Sequence, residues 1–207
     1  MTKKILIATH NENKVKEFRQ ILPEYNFISL NELKDFNDYE EVGSSFEENS
    51  FLKADHFFSK HKLITIADDS GLEVLALNNE PGVNSKRYSG GNDSDNNKLL
   101  LKNLEGIEKR NAKFRCVLTL ILEDGDTTQF EGELEGLIAL EPKGDSGFGY
   151  DPIFYIPIMQ KTLAELGSNY KDKHSHRSIA LNYLKEHLDE NISNKWYSRW
   201  WTNLTKT

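Results

Sequence analysis

Four groups of residues in this chain have types and spacings that could do chemistry. Thr9-His10-Asn11-Glu12-Asn13-Lys14 stands where a short β-rich run meets a helical pattern. Unpaired N–H groups at a helix start, the helix dipole, Lys14 and the side chains of Thr9 and Asn11 can together receive phosphate oxygens. The same segment also reads as a polar turn capped by Asn11 or Asn13, and it lacks the Gly-x-x-x-x-Gly-Lys-Ser/Thr of a Walker loop. Asp68-Asp69 closes an apolar run, and Glu40 and Glu41 stand just ahead of Gly43. Hard carboxylate oxygens suit Mg²⁺ held with several waters, and a carboxylate beside a metal-bound water can serve as its base; a solvated acidic turn is the other reading. Lys171-Asp172-Lys173-His174-Ser175-His176-Arg177 is rich in donors and fits an acceptor-rich ligand. Its two histidines have no matching Cys/His pair elsewhere, which argues against zinc. Gly147-Phe148-Gly149-Tyr150-Asp151-Pro152 could present Phe148 to a flat ring and Asp151 to ring N–H groups.

These groups need elements to hold them. Lys3–Thr9 reads as a strand, and Val15, Phe18, Ile21 and Leu22 recur at helical spacing until Pro23. A second helix, carrying Lys53, is predicted after Gly43, with Ser45 and Glu48 as a capping box and Phe46, Leu52, Ala54, Phe57 and Phe58 as its apolar face. Leu63–Ala67 is predicted to be a buried strand that stops at Asp68-Asp69-Ser70-Gly71, with Leu72–Leu77 as a separate strand. Pro81 to Asp95 reads as a long functional loop, and Leu99, Leu100, Leu101 and Leu104 as a short helix. Ala112–Leu122 and Thr127–Leu140 are long strands joined across an Asp-Gly hairpin signal. Ile153–Ile156 is a brief strand, and the last helix begins near Ser175. This order of strands and helices argues for an α/β fold with a mixed sheet and no internal repeat.

The chain has 207 residues, 37% of them hydrophobic, with three Trp, eleven Phe and eight Tyr, enough for a packed core. Its 26 Lys+Arg stand against 33 Asp+Glu, a net charge of −7 that disfavours general attraction to nucleic acid, so an anionic substrate needs a local basic site. The single cysteine, Cys116, lies in an apolar strand and reads as an inert core thiol. No stretch approaches the length of a membrane span, and no signal pattern stands at the start, so a cytoplasmic location without membrane contact is expected.

Taken in order, the motifs Ala8-Thr9-x-Asn11-x-x-Lys14, Glu41-x-Gly43, Phe46-x-Glu48-Asn49-x-x-x-Lys53-Ala54, Ala67-Asp68-Asp69-Ser70-Gly71-Leu72, Pro81-Gly82-Val83, Arg87-Tyr88-Ser89-Gly90, Gly147 to Pro152 and Ser175-His176-Arg177 form a specific set covering residues 8 to 177. In this the chain resembles the inosine triphosphate pyrophosphatase family, which converts dITP, ITP and XTP to the monophosphate and pyrophosphate. The resemblance implies that Thr9, Asn11, Lys14, Lys53 and Ser70 hold phosphates, and that Glu41 and Asp69, with Asp68 nearby, bind Mg²⁺. It implies that Asp69 activates the metal-bound water that attacks the α-phosphorus. Phe148 would stack on the purine within the Phe148-Gly149-Tyr150-Asp151 loop, and Asp151, Lys171, His176 and Arg177 would surround base and sugar; Tyr150 stands where some members carry Trp. An elongated mixed sheet with flanking helices, two lobes around a central cleft and a homodimer are the architecture it implies. Residues 1–188 would form that single domain and 189–207 an aromatic extension, in which Trp196 with Trp200, and Tyr197 with Trp201, make a helical stripe suited to packing. A related enzyme for modified pyrimidine triphosphates and a nucleotide-binding module without turnover are the competing readings.

Overall fold

The computed structural model describes residues 3–37 and 39–204, with side chains through Glu190. In chain order the elements are β1 (Lys4–Ile7), α1 (Glu12–Ile21), β2 (Asn26–Ser29), α2 (Phe46–His61), β3 (Ile64–Val74), β4 (Glu80–Pro81), α3 (Asp93–Asn103), β5 (Asn111–Ile121), β6 (Thr127–Ile138), β7 (Phe154–Ile156), β8 (Lys161–Thr162), α4 (Leu163–Leu166), α5 (Ser168–His174) and α6 (His176–Leu204). One mixed sheet runs β2-β1-β3-β5-β6-β7-β8, with β4 paired to β3. β2, β1 and β3 are parallel, and every pairing beyond β3 is antiparallel. The fold is mixed α/β, as the order of elements predicts.

The alternation of side chains along a strand builds a core on each face of the sheet. Ile5 and Ile7 of β1, Ile64 and Ile66 of β3, and Cys116, Leu118 and Leu120 of β5 pack against Val15 and Phe18 of α1 and Ala180, Leu181, Leu184 and Leu188 of α6. Leu6, Ala8 and Ala67 turn the other way, onto Ala54 and Phe57 of α2. A third cluster lies toward the other end of the sheet and joins Leu72, Val74, Phe114, Phe154 and Ile156 to Leu100 and Leu104 of α3.

Four sequence expectations are corrected. β3 does not stop at Asp68 but continues as one eleven-residue strand through Asp68-Asp69-Ser70-Gly71. Two adjacent carboxylates can occupy a buried strand because alternation sends them to opposite faces, Asp68 to the cations Lys14 and Arg177 and Asp69 to the α2 face. The segment read as a loop from Pro81 to Asp95 contains β4, a 3₁₀ turn over Gly82–Arg87 and the first turn of α3. That helix start is polar, closed by a reciprocal Asn92–Asp95 capping box, and so gives no apolar period to read. The Ser45–Glu48 box is half formed: Ser45 Oγ accepts from Glu48 N–H, but the Glu48 carboxylate reaches the N–H and hydroxyl of Ser44 instead of the cap residue. Lys171 precedes the last helix and lies in the separate α5, whereas Ser175 Oγ accepts from Ser178 N–H at the start of α6. α6 runs through residue 189 without a break, and the aromatic stripe of Trp196, Tyr197, Trp200 and Trp201 lies outside the described side chains.

α6 crosses β6 closely enough that its first turn leaves no room for a side chain at Gly132. A β-carbon there would sit 2.1 Å from the carbonyl oxygen of His176 and 2.6 Å from the amide nitrogen of Ala180. Gly132→Ala is therefore expected to displace α6 and cost about 1–3 kcal/mol, read as a lower urea midpoint; an unchanged midpoint would contradict this packing.

Candidate active site

The carboxyl end of β1 turns into α1 through Thr9-His10-Asn11. Asn11 Oδ1 accepts from the N–H groups of Asn13 (2.9 Å) and Lys14 (3.3 Å), and Thr9 Oγ1 accepts from Asn11 N–H (3.1 Å). Asn11 is thus the helix cap, with its NH₂ and the Thr9 hydroxyl proton left to donate. His10 points away to Asn31 Oδ1 (2.9 Å) and the Asn37 carbonyl (3.2 Å), tying this turn to the segment that leads to Glu41.

On the α1/α6 face of β3, Asp68 is buried and surrounded by cations. Lys14 donates to its Oδ1, and Arg177 donates from Nε and Nη2 to its Oδ2, each at 3.1 Å; the Cys116 thiol lies 3.5 Å from the same oxygen. Burial alone would raise the Asp68 pKa, but Lys14, Arg177 and Lys53 outweigh it and hold the carboxyl far below its usual range. Burial and the neighbouring Asp68 push the Cys116 thiol well up, so it stays protonated.

On the α2 face Asp69 meets a different environment. Its Oδ1 accepts from Ser70 N–H at 3.0 Å, and its Oδ2 is buried without a hydrogen-bond partner. Burial and the nearby charge of Glu41 raise its pKa to about 6, although Lys53, Lys14 and Asn49 pull the other way. Lys53 is itself buried. Burial opposes its charge, yet Glu41, Asp68 and Asp69 raise its pKa above the ordinary value, and its Nζ lies 2.6 Å from Glu41 Oε1. Glu41 is buried on one side, but Lys53 and Lys14 keep its carboxyl below its usual value; Arg87 also holds the Glu41 backbone carbonyl at 3.2 Å. Asn49 fixes this loop by accepting from Gly43 N–H at 2.7 Å.

A second set of groups surrounds Phe148. Asp151 Oδ2 accepts from Phe148 N–H (2.9 Å) and from Lys171 Nζ (2.8 Å), while the Lys171 ammonium lies 4.4 Å from the Phe148 ring centroid. Burial raises the Asp151 pKa more than Lys171 lowers it. His176 is buried, stacked on Phe114 at 4.8 Å, with its Nδ1 unpartnered; burial and the charges of Arg177 and Lys171 keep the ring neutral. Tyr150 is a scaffold residue, buried and donating to the Ser85 carbonyl at 2.8 Å.

Glu17 joins the two sets. Arg177 Nη1 donates to Glu17 Oε2 at 2.5 Å, and Lys171 Nζ lies 3.3 Å from Glu17 Oε1, so an unbroken chain of charges runs Lys14–Asp68–Arg177–Glu17–Lys171–Asp151. Ser70 is held in the same chain by Arg177 Nη2 at 2.8 Å. The structure therefore brings together Lys14, Asp68, Ser70 and Arg177, and separately Lys53, Glu41 and Asp69, and joins the first to Lys171, Asp151 and Phe148. Sequence reading passes over Glu17, whose one signal is its position three residues beyond Lys14, on the same helix face. It likewise passes over Asp93, in the supposed loop, and Asn97, just beyond it, which hold the Gly149 peptide.

Among the described residues no three His, Cys, Asp or Glu side chains converge as a complete metal cage. Asp69 and Glu41 form a carboxylate pair with one buried oxygen left unpartnered, the donor chemistry of a hard cation that completes its shell with water and a ligand's phosphates. No described helix is long and apolar enough to cross a membrane.

The Ham1 family model matches residues 5–187. A dITP/XTP pyrophosphatase of Staphylococcus epidermidis is 46% identical over 190 residues, covering 89% of this chain and 96% of that protein. The solved Ham1 protein of Staphylococcus aureus superposes with a TM-score of 0.84 at 43% identity, over 91% of this chain and 100% of that one. A HAM1 protein from Coxiella burnetii gives the same TM-score at 41% identity, over 92% and 100%. With a mixed α/β fold of the same form, the chain belongs to the Ham1 family.

Proposed function

We propose that this chain hydrolyses dITP, ITP and XTP to the nucleoside monophosphate and pyrophosphate, removing deaminated purines from the nucleotide pool. The observation that carries the proposal is the buried, unpartnered oxygen of Asp69, in one molecule with the Lys53–Glu41 pair suited to phosphates and a cation and the Phe148 ring under Lys171 suited to a base. The close dITP/XTP pyrophosphatase relatives support the same reaction.

In this reading Thr9, Asn11, Lys14, Ser70 and Lys53 receive the triphosphate. Glu41 and Asp69 hold a Mg²⁺ ion, which when bound supplies positive charge to the phosphates and acidifies water. Asp68, saturated by Lys14 and Arg177, orients those two cations. Asp69 takes a proton from water as its oxygen bonds to the α-phosphorus, and the bond from that phosphorus to the bridging oxygen breaks with pyrophosphate leaving. Lys53 and Lys14 offset the charge that builds on the phosphate oxygens, which is where most of the rate must come from when no covalent nucleophile takes part.

Phe148 stacks on the purine, and the Lys171 ammonium beside its ring supplies a donor at that end, while Arg177 is committed to Asp68, Glu17 and Ser70 and His176 is stacked on Phe114. A 6-oxo group satisfies donors, whereas the 6-amino group of adenine meets them donor to donor and is rejected. We read the two ends of the sheet as lobes of one domain over 1–188, with 189–207 as its extension, acting as a homodimer in the cytoplasm.

The test is pyrophosphate release from ITP, dITP, XTP, ATP, GTP and dUTP, with Mg²⁺ and with EDTA. The expected result is turnover of ITP, dITP and XTP that EDTA abolishes. Preferred turnover of dUTP would assign a pyrimidine substrate instead, and tight ITP binding without turnover would leave a nucleotide-binding module.

A further inference from the structure

We propose that Asp93 and Asn97 of α3 are specificity-positioning residues, which grip the Gly149 peptide and so set how Phe148 is presented to the base. The inference rests on the reading that Phe148 stacks on the purine. Asp93 Oδ2 accepts from Gly149 N–H at 2.7 Å, and Asn97 Nδ2 donates to the Gly149 carbonyl at 3.1 Å. The two residues are four apart, one turn along the same face of α3, so a single rigid helix holds both polar groups of one glycine. Gly149 has a φ of +62°, a conformation that glycine adopts without penalty and that turns the chain sharply between Phe148 and Tyr150.

The orientation of Asn97 is chosen at a cost. Its Oδ1 is buried and has no partner, yet turning the amide over would set that oxygen against the Gly149 oxygen. The grip on Gly149 is therefore what fixes this side chain. α3 is in turn a firm base. Asn92 and Asp95 cap it reciprocally, and Asn96 holds the carbonyls of Ser85 (3.3 Å) and Lys86 (3.2 Å) while accepting from the Ser89 N–H (2.8 Å). Tyr150 hydrogen-bonds the same Ser85 carbonyl, so the Phe148 loop is attached to the α3 side at Gly149 and Tyr150, and to the Asp151–Lys171 side at Phe148. None of these α3 contacts touches the residues that receive phosphate. Loosening the grip should thus weaken base recognition and leave the phosphate end intact.

The experiment compares Asp93→Ala, Asn97→Ala and Asp93→Asn with the wild type, using ITP and ATP turnover, inhibition by inorganic tripolyphosphate, and hydrogen exchange over residues 147–151. Loss of one of the two bonds is expected to raise KM for ITP about three- to tenfold, to narrow the preference for ITP over ATP, and to leave kcat and tripolyphosphate inhibition near wild type. Exchange at Gly149 should quicken in Asp93→Ala. Asp93→Asn still offers an oxygen to Gly149 N–H and should restore both KM and slow exchange. Parallel loss of kcat and of tripolyphosphate inhibition, or an Asp93→Asn as impaired as Asp93→Ala, would overturn the proposal. If wild type turns over no 6-oxo purine, the proposed substrate fails, while the exchange comparison still decides whether the grip exists.

Discussion

Asp69→Asn is expected to lower kcat for ITP by roughly 10²–10⁴, the range of a lost general base, while the variant folds at least as stably as wild type. The substitution keeps the shape of the side chain and removes the group whose oxygen is buried, unpartnered and charged beside Glu41. The stability sign follows from the raised pKa. Between about pH 4 and pH 6 the folded chain holds a proton that an unfolded Asp, with an ordinary pKa near 3.8, has released, so stability falls as pH rises through that window. Above pH 6 the ionised Asp69 destabilises the fold, and the neutral Asn does not. Urea unfolding at pH 7 together with ITP turnover reads both halves. A variant that keeps turnover within tenfold of wild type would remove Asp69 from the chemistry, and one that unfolds earlier would show the loss to be structural. In the chain without a bound cation, carbon NMR of the Asp69 carboxyl should report a midpoint at about 6, and adding Mg²⁺ should move it down because a cation favours the carboxylate. An unmoved midpoint would argue against Asp69 as a metal ligand.

Arg177→Leu is expected to be the most destabilising of the site substitutions, by about 3–5 kcal/mol, the cost of removing one partner from a buried ion pair. Arg177 is 2% exposed and serves Asp68 twice, Glu17 once and Ser70 once. Burial opposes its charge, but Asp68 and Glu17 raise its pKa above the ordinary value. Without it the buried Asp68 and the partly buried Glu17 keep only the lysines that already touch them, and Leu offers neither charge nor donor. Arg177→Lys restores the charge but not the planar fork that spans Asp68 and Glu17 together, so it should recover only part of the loss. Pairing Arg177→Leu with Asp68→Asn should also recover part, since one of the stranded charges is then gone. A urea midpoint for Arg177→Leu within about 1 kcal/mol of wild type would mean that the charge chain is dispensable to the fold.

Much of the framework is legible in the residues. β1, α1, the Ser45 start of α2, and the β5–β6 hairpin follow from apolar period, caps and an Asp-Gly turn, all of them local signals. The middle of β3 is not legible in that way. Two adjacent aspartates read as the end of a strand because the cations that compensate Asp68 come from α1 and α6, far along the chain, and only the assembled sheet puts Lys14 and Arg177 beside it. The start of α3 is missed for a related reason: it is held by caps and by buried Asn96 and Asn97, not by an apolar stripe.

The types and order of the site residues determine by themselves which chemistry is available: lysines and a capped turn for phosphate, carboxylates for a hard cation and a proton, an aromatic between glycines for a ring. What only the tertiary structure decides is the division of labour among them. Asp68 and Asp69 are neighbours of the same type, and no local property separates them. The pleat of β3 turns one toward Lys14 and Arg177, where it is neutralised, and the other toward Glu41 with a bare oxygen, where its pKa rises to about 6, which suits the base we propose it to be. A carboxylate's role depends on the charges within a few ångströms of it, and those are set by contacts that span the chain.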